Sequence, residues 1–293
     1  MIKKSFCLLL LLLASCKTGY FQRCQPTPIP EAVIIKEPIR VALVLGGGGA
    51  RGMAHVGVIE ELEMANIPID LIVGCSAGGV VGTIYAANPN AKQLHEIFFQ
   101  LKKNDVMSIN IFNVRFGLVH GRELRQFLTK HLGTKDFADL KIPCKVVATD
   151  LDSGDLLSIG GGPVAPAVHA SCAVPIVFRP VLLYGRPLVD GGVLNPIPVE
   201  IAHFENPKVI VAVDLSEGLP TTIPNHIFGI AKRCAEIAHT NNSKRCIQGA
   251  DIVIRPELGS TGLFDDRFKN HHYEAGKEAA RQAIPLILSR LSS

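Results

Sequence analysis

One short stretch, Gly74–Gly78 with the sequence GCSAG, constrains the fold more than any other part of the chain. It follows the apolar run 70–73 and precedes a run of small and apolar residues over 77–87 that suits a helix. Strand, sharp turn and helix in this order form the context in which a G-x-S-x-G sequence makes a nucleophile elbow. Gly74 and Gly78 would let strand and helix approach closely, and the turn would expose the Ser76 hydroxyl at a helix N-terminus, where a developing oxyanion is stabilised. The alternative is a glycine-rich turn in which Ser76 has no chemical role.

Apolar runs that alternate with helix-like segments indicate an α/β fold. With 47% hydrophobic and 19% charged residues, the chain can bury a substantial core. The run 40–45, bounded by Pro38 and glycines, is typical of a buried parallel strand. The pattern predicts further strands at 70–73, 143–150, 155–159, 182–184, 187–189, 207–214 and 251–254, and helices at 53–65, 77–87, 91–101, 121–132, 164–173, 226–248 and 273–291. Such alternation implies βαβ units and a largely parallel sheet, in one domain after Pro38.

The N-terminus has the pattern of an export signal over residues 1–15. A basic start is followed by an apolar stretch, 6–13, that is too short to span a bilayer. The end of this stretch, Leu-Ala-Ser-Cys, resembles a bacterial lipobox, in which the chain is cut before Cys16 and the thiol carries diacylglycerol. An ordinary secretory signal is the alternative. We expect an exported lipoprotein anchored at a membrane surface, and Lys17 after the cysteine favours the outer membrane.

Residues 16–38 are rich in proline and predict an extended tether between the anchor and a catalytic domain at 39–293. The formal net charge of +4, without a run of basic residues, argues against a nucleic-acid partner. No C-x-x-C or His/Cys spacing predicts a metal site, and no cofactor is expected. Cys234 and Cys246 lie twelve residues apart on one predicted helix, which would hold the two thiols away from each other.

A glycine loop, Gly47–Gly52, follows the first strand and opens a predicted helix. Its spacing, G-x-G-x-x-G, would let backbone amides converge on one point, and Arg51 adds positive charge or orients the loop through carbonyl oxygens. The same spacing is a dinucleotide fingerprint, which requires an acidic residue at the end of the second strand. Asp70 stands at the beginning of that strand instead, so the nucleotide interpretation is disfavoured.

A serine nucleophile also needs a base. None of the histidines that follow Asp190 occupies a late strand-end loop, and we interpret most of them as surface or satisfied helix residues: His203, His226, His239, His271 and His272. Asp190 ends an apolar strand and is followed by Gly191 and Gly192, so its carboxylate would project at a sheet edge. A simple Asx turn at a strand end is the alternative.

Taken together, the glycine loop Gly47–Gly52, the Gly74–Gly78 turn and Asp190–Gly192 resemble the patatin-like phospholipase family. The segments 148–154 and 169–175 add to the similarity, which runs from about residue 40 to 214. The resemblance implies a three-layer α/β/α fold with a mostly parallel central sheet. It further implies a Ser-Asp dyad without histidine, with Ser76 as nucleophile and Asp190 as base, and an oxyanion loop formed by Gly47, Gly48, Gly49, Ala50 and Arg51. Gly52, Gly74, Gly78, Gly191 and Gly192 are the glycines of the matching motifs.

The family's substrates are acyl esters of lipids, and its chemistry needs no metal. The sequence thus predicts a serine lipid acyl hydrolase, of phospholipase A or lysophospholipase type. An acyltransferase using the same dyad, or a membrane-tethered lipid-binding lipoprotein without turnover, are the alternatives. The apolar but irregular segment 104–120 is a candidate acyl-chain site or lid, or else a packed part of the core.

Overall fold

A computed structural model describes residues 25–35, 38–107, 117–216, 218–219, 222–259, 261–262 and 264–293. In this part of the chain, eight strands form one mixed sheet: β1 Val41–Leu45, β2 Leu71–Cys75, β3 Cys144–Asp150, β4 Leu156–Ile159, β5 Val181–Leu183, β6 Arg186–Asp190, β7 Val209–Val213 and β8 Ile252–Ile254. The order across the sheet is β5-β6-β3-β2-β1-β7-β8, and β4 pairs with β3. The pairs from β3 through β2, β1 and β7 to β8 are parallel, which confirms the mostly parallel sheet.

Helices cover the sheet on both faces. They are α1 Met53–Met64, α2 Ala77–Ala87, α3 Ala91–Gln100, α4 Lys103–Val106, α5 Arg122–Leu132, α6 Val164–Ser171, α7 Val199–His203, α8 Ile227–Cys246 and α9 Lys269–Ser292. Strand residues alternate between the faces: Leu43 packs into a large core under the helices, and its neighbour Val44 into a smaller core that includes Val199 of α7. The structure is therefore an α/β fold with a thick and a thin helical layer.

The edges of β3 determine how the strand ends meet. On one edge of β3, Val146 and Val147 pair with β2, and the next two residues, Ala148 and Thr149, pair with β6. On the other edge, all four residues pair with β4. Strands β2 and β6 therefore share one edge of β3 and run toward each other. β2 ends level with Val147 and β6 ends at Asp190, level with Ala148, so the ends of the two strands are neighbours.

The segment 25–35, predicted as part of the tether, has neither helix nor strand but is docked on the domain. The Thr27 amide donates to the Tyr184 carbonyl at 3.0 Å, and the Val33 amide to that of Gly160 at 3.2 Å. Its proline-rich path is extended, yet Ile29 and Val33 are partly buried against the core. The predicted signal peptide, Cys16 and residues 108–116 of the candidate lid lie outside the described residues.

Most element bounds agree with the sequence to within two residues. The final helix is an exception, because it begins at Lys269 rather than at residue 273. As predicted, it continues through Pro285. Across the described residues, no helix combines the length and apolar character needed to cross a membrane.

Candidate active site

Ser76 stands at the sharp turn between β2 and α2. Its backbone has φ 51° and ψ −120°, a conformation that costs energy for any residue with a side chain. A Cβ on Gly74 would lie 2.6 Å from the backbone of Gly79, and one on Gly78 only 2.1 Å from the Leu45 carbonyl oxygen. Both glycines are thus required by the close approach of β2, α2 and β1, the geometry expected of a nucleophile elbow.

A buried hydroxyl on a neighbouring helix holds this turn in place. The Ser76 amide donates a 3.0 Å hydrogen bond to Oγ of Ser171, the last residue of α6. Ser171 is fully buried, so the bond is shielded from water. The sequence pattern singles out Ser171 only as part of the segment 169–175, because nothing local shows that its hydroxyl reaches Ser76.

Asp190 ends β6 beside Ser76, and its two carboxylate oxygens have different surroundings. Oδ1 accepts a 2.7 Å hydrogen bond from the Gly192 amide and lies 3.8 Å from the Cys75 thiol. Oδ2 is buried and has no partner with regular hydrogen-bond geometry in the described part of the chain. The Ser76 hydroxyl nevertheless lies close enough to the carboxylate to lower its pKa.

Burial sets the protonation behaviour of Asp190. It raises the pKa of this carboxyl to about 6, against the opposing effect of hydrogen bonds from Ser76, Gly192 and Cys75. Burial also raises the pKa of the Cys75 and Cys172 thiols well above the ordinary value, and the nearby Asp190 charge adds to this. The two thiols remain protonated at neutral pH, so Cys75 is a core residue of the elbow.

The glycine loop packs directly on the elbow. A Cβ on Gly47 would lie 3.5 Å from Cβ of Ser76, and one on Gly52 would lie 3.0 Å from Cβ of Ala77. The loop is joined to the segment after Asp190, because the Gly47 amide donates to the Pro196 carbonyl at 2.9 Å. The three motifs thus meet at one edge of the sheet.

Only part of the predicted oxyanion loop has free amides. The Gly47 amide is engaged by Pro196, and the Arg51 amide donates to the Gly48 carbonyl at 3.2 Å. Arg51 Nε also donates to this carbonyl at 3.2 Å, which is the loop-orienting role that the sequence left open. Among the described contacts, the amides of Gly48, Gly49 and Ala50 have no acceptor. The candidate hydrogen-bond donors of the oxyanion loop are therefore these three amides.

Two histidines contact the site, although sequence analysis did not select either of them. His55 in α1 is fully buried, and its Nε2 lies 2.8 Å from the Gly46 carbonyl oxygen. Burial lowers its pKa to about 4, so it is neutral and donates this bond from Nε2. His239 in α8, interpreted from its mid-helix position as a surface or satisfied residue, places Nδ1 3.4 Å from the Gly192 carbonyl oxygen. Burial also lowers the pKa of His239. Among the described hydrogen bonds, neither histidine is a partner of Ser76.

Two other features lie away from this edge. Asp70 accepts hydrogen bonds from the Arg40 amide and guanidinium, each at 2.8 Å, at the start of β2 and far from the glycine loop. A cleft of about 400 Å³ between α1, α3 and α9 contains no residue of the three motifs and is lined by Glu60, Glu63, Met64, Ala91, Lys92, His95 and Tyr273. Within the described residues, no group of three or more His, Cys, Asp or Glu side chains is arranged to hold a metal ion.

The strand–turn–helix around Ser76 is that of the nucleophile-elbow α/β proteins. Residues 43–203, more than half of the chain, match the family described as patatin-like phospholipases. The chain belongs to this family.

Similar proteins include an uncharacterised NTE family protein of Mycobacterium tuberculosis, 34% identical over 64% of this chain and 53% of that protein. The human patatin-like phospholipase domain-containing protein 6 is 29% identical over 60% of this chain and 13% of its own length. Lysophospholipase NTE1 of Scheffersomyces stipitis is 31% identical over 64% of this chain and 12% of its own length. The chain thus spans about half the length of the mycobacterial relative and a small part of the other two.

Among solved structures, VipD from Legionella pneumophila superposes with a TM-score of 0.60 at 14% sequence identity. The match covers 94% of this chain and 73% of VipD. At this identity the likeness extends to the fold alone.

Proposed function

We propose that this protein is a serine hydrolase that cleaves acyl esters of lipids, with Ser76 as nucleophile and Asp190 as its base. The observation that carries the proposal is the contact between a serine in a strained elbow and a buried carboxylate whose pKa is raised to about 6. Such a carboxylate is ionised at neutral pH and is a better proton acceptor than an exposed aspartate. Membership of the patatin-like phospholipase family supports a lipid ester as the substrate class.

Each step of the reaction can be assigned to a group in the site. Asp190 accepts the proton of the Ser76 hydroxyl as Oγ attacks the ester carbonyl carbon. The amides of Gly48, Gly49 and Ala50, in the glycine loop that precedes α1, stabilise the negative oxygen of the tetrahedral intermediate. The C–O bond to the leaving alcohol then breaks, and the alcohol takes the proton from Asp190. Water attacks the acyl-serine in the same way, which releases the fatty acid and regenerates Ser76.

Labelling with a fluorophosphonate tests the nucleophile. We expect the full chain to be labelled, Ser76→Ala to lose the label completely, and Ser158→Ala on β4 to keep it. Absence of labelling in the folded wild type would remove the hydrolase proposal and favour a lipid-binding role. Incubation with mixed phospholipids and lysophospholipids, followed by identification of released fatty acid, then identifies the substrate. Transfer of the acyl group to an added alcohol in place of water would indicate an acyltransferase.

We also propose that Cys16 carries a lipid anchor that holds the enzyme at a membrane surface. The supporting observation is the lipobox-like sequence before Cys16. Metabolic labelling with palmitate in a bacterial host should label the wild type, and Cys16→Ser should abolish the label. Cys24→Ser is the matched control and should remain labelled. A labelled Cys16→Ser protein would disprove the anchor site.

A further inference from the structure

Helix α8 is tied to the loop after Asp190 by one of its faces. His239 Nδ1 lies 3.4 Å from the Gly192 carbonyl oxygen, Asn242 Nδ2 donates to that of Val193 at 3.1 Å, and Cys246 Sγ lies 3.8 Å from that of Leu194. The three side chains are spaced by three and four residues, so they share a face of the helix. Three successive carbonyls after the proposed base therefore contact three successive turns of α8.

A second face of α8 is aliphatic and points to solvent. Ile227, Ile230 and Ile237 are 77%, 52% and 40% exposed. Their spacing of three and seven residues aligns them, together with the exposed Cys234, along one side of the helix. We call these three isoleucines the isoleucine face. Ile223, just before the helix, is 83% exposed and extends the exposed aliphatic surface.

This exposure is unusual for a helix of the domain. Among the described side chains of α8, Ser243 alone is fully buried, whereas the other long helices place several side chains in the core. A contiguous exposed aliphatic surface indicates a binding surface rather than ordinary variation. We therefore expect a binding partner to cover the isoleucine face, and we call this partner its occupant.

The charges of α8 distinguish between the possible occupants. The helix carries four basic residues and a single acidic one, Glu236. Glu236 pairs with Lys232 at 3.3 Å and with Arg233 at 3.2 Å, which leaves Lys244 and Arg245 exposed and without an acidic partner on the helix. Arg245 lies about five turns beyond Ile227 and hence on the same side. An aliphatic face with added positive charge is complementary to a surface that is apolar inside and anionic at its rim.

We propose that the isoleucine face of α8 docks on an anionic lipid surface, which holds the Asp190–Leu194 loop within about one helix diameter of the membrane from which the substrate is taken. The choice of a lipid surface as occupant rests on the proposed function. A second copy of the chain and a further segment of the same chain are the competing occupants.

Tryptophan fluorescence distinguishes the occupants, because the chain contains no tryptophan. Ile230→Trp and the control Leu288→Trp, at a comparably exposed position on α9, are each introduced into the full chain carrying Ser76→Ala, so that insertion is measured without turnover. With phosphatidylglycerol-containing vesicles, we expect the Ile230→Trp emission to shift to the blue and to be quenched by brominated acyl chains, and the Leu288→Trp emission to stay unchanged. Since this fluorescence signal needs no catalysis, it tests membrane docking independently of the hydrolase proposal, which fluorophosphonate labelling tests.

Three results would overturn the proposal. The first is an Ile230→Trp emission that brominated anionic vesicles leave unquenched although the protein sediments with them. The second is a blue shift without vesicles that grows with protein concentration, which would identify a second copy. The third is a blue-shifted emission that depends neither on vesicles nor on protein concentration, which would identify a segment of the same chain.

Activity provides a second measurement. Replacing Ile227, Ile230 and Ile237 together with glutamine should lower the ratio of vesicle hydrolysis to hydrolysis of a water-soluble ester by about tenfold or more. The control replaces Ile34, Leu286 and Leu288, which are comparably exposed. An equal ratio in the two triple variants would contradict the docking role.

Discussion

Cys75 and Asp190 are the last residues of two strands that meet end to end along one edge of β3, and Cys75 Sγ lies 3.8 Å from Oδ1 of Asp190. This meeting brings the residue after Cys75, Ser76, to the carboxylate. The Gly192 amide holds Oδ1 at 2.7 Å, which leaves Oδ2 as the oxygen available to accept a proton.

The pH dependence of the reaction should reflect Asp190. Because burial raises the pKa of this carboxyl to about 6, the base is protonated and inactive below that pH. We expect kcat/KM for a neutral ester to rise with pH up to about 6 and to level off above it. Steady-state kinetics between pH 4 and 8 checks this, with circular dichroism to verify folding at each pH. A flat profile down to pH 4 would contradict a role for Asp190 as base.

Asp190→Asn should abolish activity and yet stabilise the fold. The folded-state pKa of Asp190 lies above its unfolded value, so the folded protein binds the extra proton between about pH 4 and 6 and loses stability as pH rises through that window. At pH 8 the buried carboxylate costs about 3 kcal/mol, and the neutral amide avoids most of this cost. Urea unfolding at pH 8 should show the gain, which should shrink at acidic pH.

The matched control for this variant is Asp150→Asn, another buried aspartate with the opposite behaviour. Burial alone would raise the pKa of Asp150, but the 2.8 Å ion pair with Arg186 and the Asp152 amide outweigh it, so the pKa is lowered. Its charge therefore stabilises the fold at neutral pH, and Asp150→Asn should lower the free energy of unfolding. If both variants change stability in the same direction, charge burial does not explain the result.

Ser171→Ala should slow the reaction through the elbow. Removing the hydroxyl leaves the buried Ser76 amide without its 3.0 Å acceptor, which costs about 1–3 kcal/mol and releases the strained turn. We expect kcat to fall between about tenfold and a hundredfold, with a small change in KM, because the nucleophile is displaced. Thr83→Val, which removes a buried hydroxyl two turns along α2, is the control and should keep wild-type kcat. A wild-type kcat in Ser171→Ala would show that this bond does not position Ser76.

Gly78→Ala should prevent assembly of the site. The new Cβ would lie 2.1 Å from the Leu45 carbonyl oxygen, a backbone atom that cannot move without separating β1 from α2. We expect loss of fluorophosphonate labelling and a markedly lower melting temperature. Gly218→Ala, where no atom lies within 4 Å of the new Cβ, should behave like the wild type in both measurements. An active, stable Gly78→Ala protein would mean that the elbow is less tightly packed than the structure shows.

Much of the fold could be predicted because its signals are local. Apolar runs bounded by glycine and proline predicted the strands, and the short gap between the predicted strands 182–184 and 187–189 contains Gly185, which takes a positive φ in the tight β5–β6 turn. Ser76, the glycine loop and Asp190 were selected for the same reason, since each stands in a short pattern that determines its own backbone shape. The start of α9 at Lys269 was missed because helix ends depend on contacts as well as on propensity.

The sequence by itself determined which short segments could take part in a site. Only the tertiary structure decided that they meet, because β6 runs against β2 along a shared edge of β3. It also decided that Pro196 takes the Gly47 amide, and that His239 in α8 faces the Gly192 carbonyl. These contacts join residues that are far apart in the chain, and they form only when the sheet and its two helical layers bury their apolar faces together. No local sequence pattern predicts such a pairing.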